Sequence, residues 1–117
     1  MRRVIVESPF AAPDSVGAER NLTYARAALK DCINRGEAPL AAHLLYPQVL
    51  EDGSLHEREL GFVLGFSWMV VAHAVVVYRD LGVSPGMQRG IREAERLGCP
   101  VEYREFGRWD KQESKCG

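Results

Sequence analysis

Residues 74–78, Ala-Val-Val-Val-Tyr, form the clearest β-strand signal in the chain, and residues 79–85, Arg-Asp-Leu-Gly-Val-Ser-Pro, follow it directly. An unbroken run of β-branched and aromatic residues predicts a strand that is buried on both faces. Serine is a favoured N-cap and proline fits the first helical position, so Ser84-Pro85 predicts the start of a helix, which Gly98 would end. A buried strand that leads into a helix is typical of a parallel sheet.

The rest of the chain repeats this alternation of short apolar runs and helical patterns. Strands are predicted at residues 3–7, 40–44 and 101–103, and helices at residues 17–35 and 55–71. Four large apolar residues of the second helix are expected to face inward: Leu60, Val63, Leu64 and Trp68. The order β-α-β-α-β-α-β predicts an α/β fold, a small doubly wound parallel sheet of flavodoxin-like order 2-1-3-4 with helices on both faces.

Length and composition limit the domain count and the partners. A chain of 117 residues is long enough for one domain, which we place at 1–106, followed by a polar and mobile tail at 107–117. The net charge of -1 provides no field that would attract a nucleic acid polymer or an anionic membrane. The three cysteines are far apart and without zinc-ligand spacing, so reduced thiols and a cytoplasmic location are expected.

Polar residues follow the predicted strands at the point where each strand ends. Ligands of open α/β sheets bind outside the carboxyl ends of the strands, where the winding reverses, and for order 2-1-3-4 that point lies between strands one and three. The residues expected there are Glu7, Ser8, Pro9, Phe10, His43, Asp80, Ser84, Pro85, Gly86 and Met87. We therefore expect a small-molecule site at this edge of the sheet.

Three of these residues are candidate catalytic groups, and each has a structural alternative. Glu7 would orient a ribose hydroxyl or act as a general base, or else bond to loop amides as a strand-end carboxylate. His43 would transfer a proton near neutral pH, or else serve as a hydrogen-bonded structural residue. Asp80 would contact the ligand, or else cap its own loop.

The remaining candidates are ligand-binding residues. The free backbone N–H groups at residues 84–87 favour an anion such as phosphate, and Gly86 lets a ligand approach the backbone, although an ordinary capped helix has the same sequence. Arg20 and Asn21 would reach the same cleft from the first helix, or else belong to its exposed face. The sequence contains no GxGxxG, GxxxxGK[ST] or HExxH motif, which disfavours dinucleotide enzymes, nucleotide triphosphatases and zinc proteases.

These residues resemble the nucleoside 2-deoxyribosyltransferase superfamily over about residues 3–105, and in particular its small uncharacterised branch common in phages and actinobacteria. Residues 6–10, Val-Glu-Ser-Pro-Phe, are similar to the turn after the family's first strand, and Asn21, Tyr24 and Ala25 to its first-helix pattern. Residues 39–43 resemble its second strand, and residues 80–87 resemble the stretch that opens its last catalytic helix. The resemblance implies binding of nucleosides or their monophosphates and cleavage of the N-glycosidic bond.

The sequence departs from that family at the reacting residue. The family's nucleophilic glutamate would fall at Gly90, which has no side chain. Glu93 is three residues further on, a shift of about 4.5 Å along a helix axis. A nucleophile displaced by that distance no longer reaches an anomeric carbon that it must approach to about 3 Å. Either Glu7 or Asp80 has taken over the carboxylate role, or the covalent reaction is absent.

We therefore expect a nucleoside- or nucleotide-binding domain without the family's glutamate. One alternative is an N-glycosidase or deoxyribosyltransferase that acts on (deoxy)nucleosides or their monophosphates with Glu7 or Asp80 as carboxylate. A second alternative is a non-catalytic interaction module. The expected ligand is a small-molecule nucleoside or nucleotide, no metal or cofactor is predicted, and the resemblance implies a homo-oligomer.

Overall fold

The fold is built on a four-stranded parallel sheet. The computed structural model describes residues 1–51, 53–107 and 109. Its strands are β1 (Arg2–Glu7), β2 (Glu37–Leu40), β3 (Ala74–Tyr78) and β4 (Val101–Arg104). They pair in the order β2-β1-β3-β4, and every pairing is parallel. The predicted α/β fold and the predicted strand order are therefore confirmed.

Helices cover both faces of this sheet. They are α1 (Ser15–Asn34), the single turn α2 (Ala42–Leu45), α3 (Leu55–Ser67) and α4 (Pro85–Leu97), with 3₁₀ turns at Tyr46–Gln48 and Trp68–Val71. Alternate residues of β1 point to opposite faces, so Val4 packs with α1 on one side while Ile5 packs with α4 on the other. Burial on both faces explains why β1 and β3 are apolar without a break.

Helix α4 begins and ends as its sequence predicts. The Ser84 hydroxyl oxygen accepts a hydrogen bond from the backbone N–H of Met87 at 3.2 Å, and Pro85 occupies the first turn. Gly98 ends the helix with φ of 74°, a left-handed conformation that glycine adopts without steric cost. Both ends of α4 are therefore fixed by local sequence.

The second strand lies earlier in the chain than predicted. We expected it at residues 40–44, but β2 ends at Leu40 and residues 42–45 form α2. Pro39 pairs with Val4 inside β2. Proline donates no hydrogen bond, and it is tolerated there because β2 is an edge strand of the sheet.

The inward face predicted for the second helix is wrong for three of its four residues, while the fourth, Leu64, is partly buried. Leu60, Val63 and Trp68 are 38%, 56% and 44% exposed. Gly65 is the buried position of α3, where an added Cβ would lie 3.0 Å from the Cβ of Ala42. Close approach of α3 to α2 at this glycine turns the larger side chains outward.

Four charged residues form a network on the α1 side of the sheet. Arg104 donates two hydrogen bonds of 2.8 Å to the carboxylate of Glu37, and both side chains are buried. Arg2 pairs with the same carboxylate and with Glu102. These contacts join β1, β2 and β4 through side chains.

The tail was predicted at 107–117, and most of it lies outside the described residues. Only Gly107 and Trp109 of that range are described. Cys32 and Cys99 are buried free thiols, and Cys116 is outside the described residues. Within the described residues, no helix has the length and apolar character needed to cross a membrane.

Candidate functional site

A cavity of about 350 Å³ opens at the carboxyl end of β1, between α2, α3 and the start of α4. Its walls are mainly apolar and aromatic, and include Ile5, Phe10, Tyr46, Phe62, Phe66 and Met87. A few polar side chains also line the cavity. They are Glu7, Ser8, His43, Glu51, Glu57, Arg58 and Ser84. A mostly apolar cleft of this size with few polar groups is typical of a site for a small organic ligand.

The structure brings most of the predicted site residues together and leaves others out. Eight of them line the cavity: Glu7, Ser8, Phe10, His43, Ser84, Pro85, Gly86 and Met87. Pro9, Arg20, Asn21 and Asp80 do not line it. The cavity thus lies at the expected edge of the sheet, on the face that carries α3 and α4.

Glu7 is the last residue of β1 and shares a strand face with Ile5. It pairs with Val77 of β3, and its carboxyl group makes no hydrogen bond to any of the described residues. Burial beside apolar residues disfavours the charged form and raises the pKa of Glu7 to about 8. The group is therefore mostly protonated at neutral pH and can donate a hydrogen bond or a proton into the cavity.

Gly90 makes room for this carboxyl group. It is a buried position on the inner face of α4, between Met87 and Ala94. A Cβ added at Gly90 would lie 2.6 Å from Cδ of Glu7 and closer still to Oε2. The Glu7 side chain thus occupies the space that any larger residue at position 90 would need.

His43 and Ser8 form a hydrogen-bonded pair across the cavity wall. The Ser8 Oγ lies 2.7 Å from Nε2 of His43, and the edge of the His43 ring meets Phe10. Burial lowers the pKa of His43 to about 4. The imidazole is therefore neutral at pH 7, with a pKa that makes it a weak base.

The start of α4 supplies the remaining predicted contacts. The Ser84 hydroxyl oxygen already accepts the helix-capping hydrogen bond from Met87, as the structural alternative expected. Its O–H hydrogen stays available to a ligand. A Cβ added at Gly86 would lie 3.6 Å from Cζ of Phe62. The cavity is therefore narrow between α3 and α4 at this point.

Asp80 is directed away from the cavity. Its carboxylate accepts hydrogen bonds from the Tyr24 hydroxyl and from the backbone N–H groups of Phe106 and Gly107. These donors lower the pKa of Asp80, against burial, which raises it. The side chain therefore anchors the segment after β4, which is neither the ligand contact nor the cap of its own loop that the sequence predicted.

Asn21, Pro9 and Arg20 contribute to the site indirectly or not at all. The Asn21 side chain is buried and donates to the carbonyl oxygens of Phe10 and Ala11, at 3.1 and 3.3 Å. It thereby positions the loop that carries the cavity residue Phe10. Pro9 is buried in the same loop, whereas Arg20 is exposed on α1.

Sequence reasoning missed the wall that α3 provides. Gly61, Phe62 and Phe66 line the cavity, and Arg58 lies at its edge. Gly65 lines the cavity too, beside its contact with Ala42. Two glycines four residues apart, beside two phenylalanines, are the signal that marked this side of the helix.

The described residues contain no group of three or more histidine, cysteine, aspartate or glutamate side chains placed to hold a metal ion. What the cavity offers chemically is one protonated carboxyl group, a neutral serine–histidine pair and aromatic surface, with Glu51, Glu57 and Arg58 also in its lining. That combination suits a planar, neutral heterocycle with hydroxyl groups attached.

The fold is similar to that of a solved structure. It is similar to the 2-deoxyribosyltransferase from the psychrotolerant bacterium Bacillus psychrosaccharolyticus, with a TM-score of 0.69, 17% identity, and coverage of 95% of this chain and 90% of that chain. That enzyme is described as a biocatalyst for the synthesis of antiviral and antitumoral nucleosides. The likeness confirms, at the level of the fold, the resemblance inferred from the sequence.

The family itself is defined by sequence. The chain belongs to the family described as Domain of unknown function (DUF7768), whose model matches residues 2–104. No curated protein matches the chain.

Proposed function

We propose that this protein binds a nucleoside or nucleotide in the cavity at the carboxyl end of β1. The observation that carries the proposal is the cavity itself, about 350 Å³ of mainly apolar and aromatic wall with Glu7, Ser8 and His43 on one side. It lies beside the point where order β2-β1-β3-β4 reverses its winding, where open α/β sheets take their ligands. The fold shared with a 2-deoxyribosyltransferase supports the same class of ligand.

Thermal unfolding with and without ligands tests this proposal. A ligand at one hundred times its dissociation constant adds about 2.7 kcal/mol to the free energy of unfolding. Nucleosides, nucleoside monophosphates, NAD and cyclic nucleotides form the test panel, and at least one nucleoside or nucleotide should raise the melting temperature. If none does, the shared fold carries no shared ligand and the interaction module becomes the better account.

A matched pair of variants on α3 locates the binding. Gly61→Phe places a ring in the cavity and should abolish the ligand-induced shift. Leu60→Phe, one residue earlier, adds a ring on the exposed side of the same helix and should retain the shift. Equal shifts in both variants would place the ligand elsewhere.

A second candidate function is cleavage of an N-glycosidic bond with Glu7 as the working carboxyl group. The observation that favours it is the close fit of Glu7 against Gly90, the position of the family's glutamate in the resemblance. In hydrolysis the bond between the anomeric carbon and the base breaks and its electron pair goes to the base. Protonated Glu7 would supply the proton that the base takes up, and water would add to the anomeric carbon.

The direction of the pH dependence separates two roles for Glu7. The pKa of about 8 predicts that release of free base falls as pH rises through 8 if Glu7 is the acid. Release rises over the same range if Glu7 is a nucleophile, because the nucleophile must be ionised. Glu7→Gln stops release in both cases, whereas Asp80→Asn should not, because Asp80 is directed away from the cavity.

The exposed apolar side of α3 supports the homo-oligomer that the resemblance implies. Leu60 and Val63 are exposed on this helix, and Trp68, Val70 and Val71 of the following 3₁₀ turn continue the surface. A second copy is the proposed cover for this surface. We expect Val63→Glu to reduce the mass measured by light scattering, whereas Val16→Glu, at an exposed position on α1, should not.

Two further expectations from the sequence remain part of this proposal. They are membership of the small phage and actinobacterial branch and a cytoplasmic location with reduced thiols. Neither is needed for the binding proposal.

A further inference from the structure

A second depression of about 390 Å³ lies between α3 and α4, directly beside the cavity. The two share part of their walls, namely Arg58, Phe62, Pro85 and Gly86. Three guanidinium groups line the second depression, from Arg58 on α3 and from Arg89 and Arg92 on α4. We call these three residues and the space between them the arginine vestibule.

Arg89 is held in place by two neighbours on α3. Its Nη2 donates to both carboxylate oxygens of Glu59, at 3.1 and 2.8 Å, and its Cζ lies 4.0 Å from the centre of the Phe62 ring. Stacking on Phe62 leaves other N–H groups of the guanidinium free to donate. Phe62 is also a wall of the cavity, so Arg89 is tied to the cavity through that ring.

The other two arginines are not neutralised by the described part of the chain. The side chains of Arg58 and Arg92 make no hydrogen bond or ion pair with residues 1–51 or 53–107. Glu59 is the acidic residue that lines the vestibule, and Arg89 uses it. The vestibule is therefore locally positive, although the whole chain has a net charge of -1.

Nearby carboxylates do not cancel this charge. Glu57 lines the cavity rather than the vestibule, and its Oε1 accepts a hydrogen bond from the backbone N–H of Glu51 at 2.8 Å. Glu93 on α4 pairs with Arg96. The cavity thus carries hydroxyl, imidazole and carboxyl groups, the vestibule carries Arg89 and Arg92, and Arg58 lines both.

We propose that the arginine vestibule binds the phosphate groups of a ligand whose nucleoside part occupies the cavity. This inference rests on the proposed function and assigns a phosphorylated nucleoside as its substrate class. Guanidinium groups form charge-assisted and often bidentate hydrogen bonds to phosphate, which suits them to this task. The ligand would extend from one site to the other along the wall that they share, which includes Arg58 and Pro85.

Calorimetric titration of the unmodified protein tests the order of affinities. The probes are the deoxynucleosides of the four common bases, their 5′-monophosphates, their 5′-diphosphates and inorganic pyrophosphate. For the base that binds, affinity should rise from nucleoside to monophosphate to diphosphate, by about tenfold or more in total. The gain should shrink as salt is added, because the contacts are between ions.

Variants at the arginines test whether the gain arises in the vestibule. Arg92→Gln should weaken diphosphate binding by about tenfold and leave nucleoside binding unchanged, because Arg92 does not line the cavity. Arg58 lines both sites, so Arg58→Gln should weaken diphosphate binding more than it weakens nucleoside binding. Arg26→Gln makes the same change of charge on the exposed side of α1 and should alter neither. Circular dichroism of each variant shows whether it is folded.

The outcomes separate this inference from the proposed function. If nucleosides bind and phosphates add nothing, or if Arg26→Gln weakens binding as much as Arg92→Gln, the vestibule proposal is wrong and the cavity proposal stands. If pyrophosphate binds through Arg58 and Arg92 but no nucleoside does, the vestibule is an anion site and the nucleoside proposal fails. If no probe binds, both are wrong.

Discussion

At Glu7 the chain places a carboxyl group on the same side of β1 as Ile5, which packs into the apolar core. Ile5 and Val77 belong to the core on that side, and Gly90 supplies the space for the carboxyl group. Burying an acid without a partner costs free energy that the group avoids by remaining protonated. A group held in this way beside a cavity is a candidate for function, since perturbed pKa values concentrate at working sites.

The pH dependence of stability should reveal the buried acid. Because the pKa of Glu7 is raised from 4.5 to about 8, its contribution is greatest below 4.5 and is lost as pH rises towards 8. Because the pKa of His43 is lowered from 6.5 to about 4, its contribution is greatest above 6.5 and is lost as pH falls towards 4. The two opposing slopes nearly cancel at lower pH, so the free energy of unfolding should fall mainly between pH 6.5 and 8.

Urea denaturation at a series of pH values measures this effect. Glu7→Gln should remove the fall in the free energy of unfolding above pH 6.5. Without the opposing slope of Glu7, this variant should also show the rise between pH 4 and 6.5 that His43 produces. Glu105→Gln, at an exposed carboxylate, should keep the fall. A wild-type protein whose stability is constant from pH 6.5 to 8 would show that Glu7 is not buried as described.

A double-mutant cycle tests the fit between Glu7 and Gly90. In the wild-type background Gly90→Ala should destabilise the protein, because the new Cβ displaces the carboxyl group of Glu7. In the Glu7→Ala background the same change should stabilise it by up to about 1 kcal/mol, the helix-forming advantage of alanine over glycine. Additive effects in urea denaturation would rule out the contact.

The sequence predicted those site residues whose position follows from a strand end. Glu7 ends an unmistakable buried strand and Ser8 follows it directly, and both line the cavity. Asp80 follows β3 in the same way, yet its partners are Tyr24 and the backbone of Phe106 and Gly107. Those contacts depend on where the chain turns after β4, which no local pattern indicates.

At the scale of elements, β2 and β4 are joined by a buried ion pair that the sequence did not suggest. Glu37 begins β2 and Arg104 ends β4, and their side chains meet across the α1 face of the sheet. Hydrogen bonds from Arg104 and Arg2, against desolvation, lower the pKa of Glu37 to about 2. Its contribution to stability is therefore present above pH 4.5 and lost as pH falls towards 2.

Replacement of Glu37 should be costly because it leaves Arg104 buried without a charged partner. We expect Glu37→Gln to lower the free energy of unfolding at pH 7 by about 3 kcal/mol. The exposed pair of Arg79 and Glu105 offers a control, since Glu105→Gln should cost about 1 kcal/mol or less. Chemical denaturation at pH 7 and again near pH 2 checks both values, and a Glu37→Gln deficit that persists undiminished near pH 2 would contradict the assignment.

Two elements differ from prediction for identifiable reasons. Residues 40–44 are apolar apart from His43, and such a run does not distinguish a strand from a buried helical turn. Helix α3 has apolar residues on several sides, so its pattern alone could not show that Gly65, rather than Leu60 and Val63, packs inward. The contact of Gly65 with Ala42 decides that orientation, and it joins parts of the chain that are distant in sequence.

At the scale of the whole molecule, Asp80 joins the segment after β4 to the carboxyl end of β3. The rings of Tyr24, Tyr78, Phe106 and Trp109 pack together around this point. The aromatic cluster lies on the α1 side, whereas the cavity lies on the side of α3 and α4. The contacts that hold the segment after β4 therefore lie on the opposite side of the sheet from the cavity.

Loss of this attachment should be visible by proteolysis. Asp80→Ala removes the acceptor for Phe106 and Gly107, and we expect faster trypsin cleavage after Arg104 together with a loss of about 2 kcal/mol in stability. Ligand-induced thermal shifts should persist in this variant, since Asp80 does not line the cavity. Unchanged cleavage, measured by mass spectrometry, would argue that other contacts hold the segment.

The most direct test of the central claim is nuclear magnetic resonance of the backbone amides during titration with the nucleoside or nucleotide that gives the largest thermal shift. The account predicts saturable shifts at Ser8, Gly61 and Gly86, which line the cavity, with Asp80 and Gly107 unaffected. Saturable shifts confined to residues away from the cavity, or none at millimolar ligand, would contradict it.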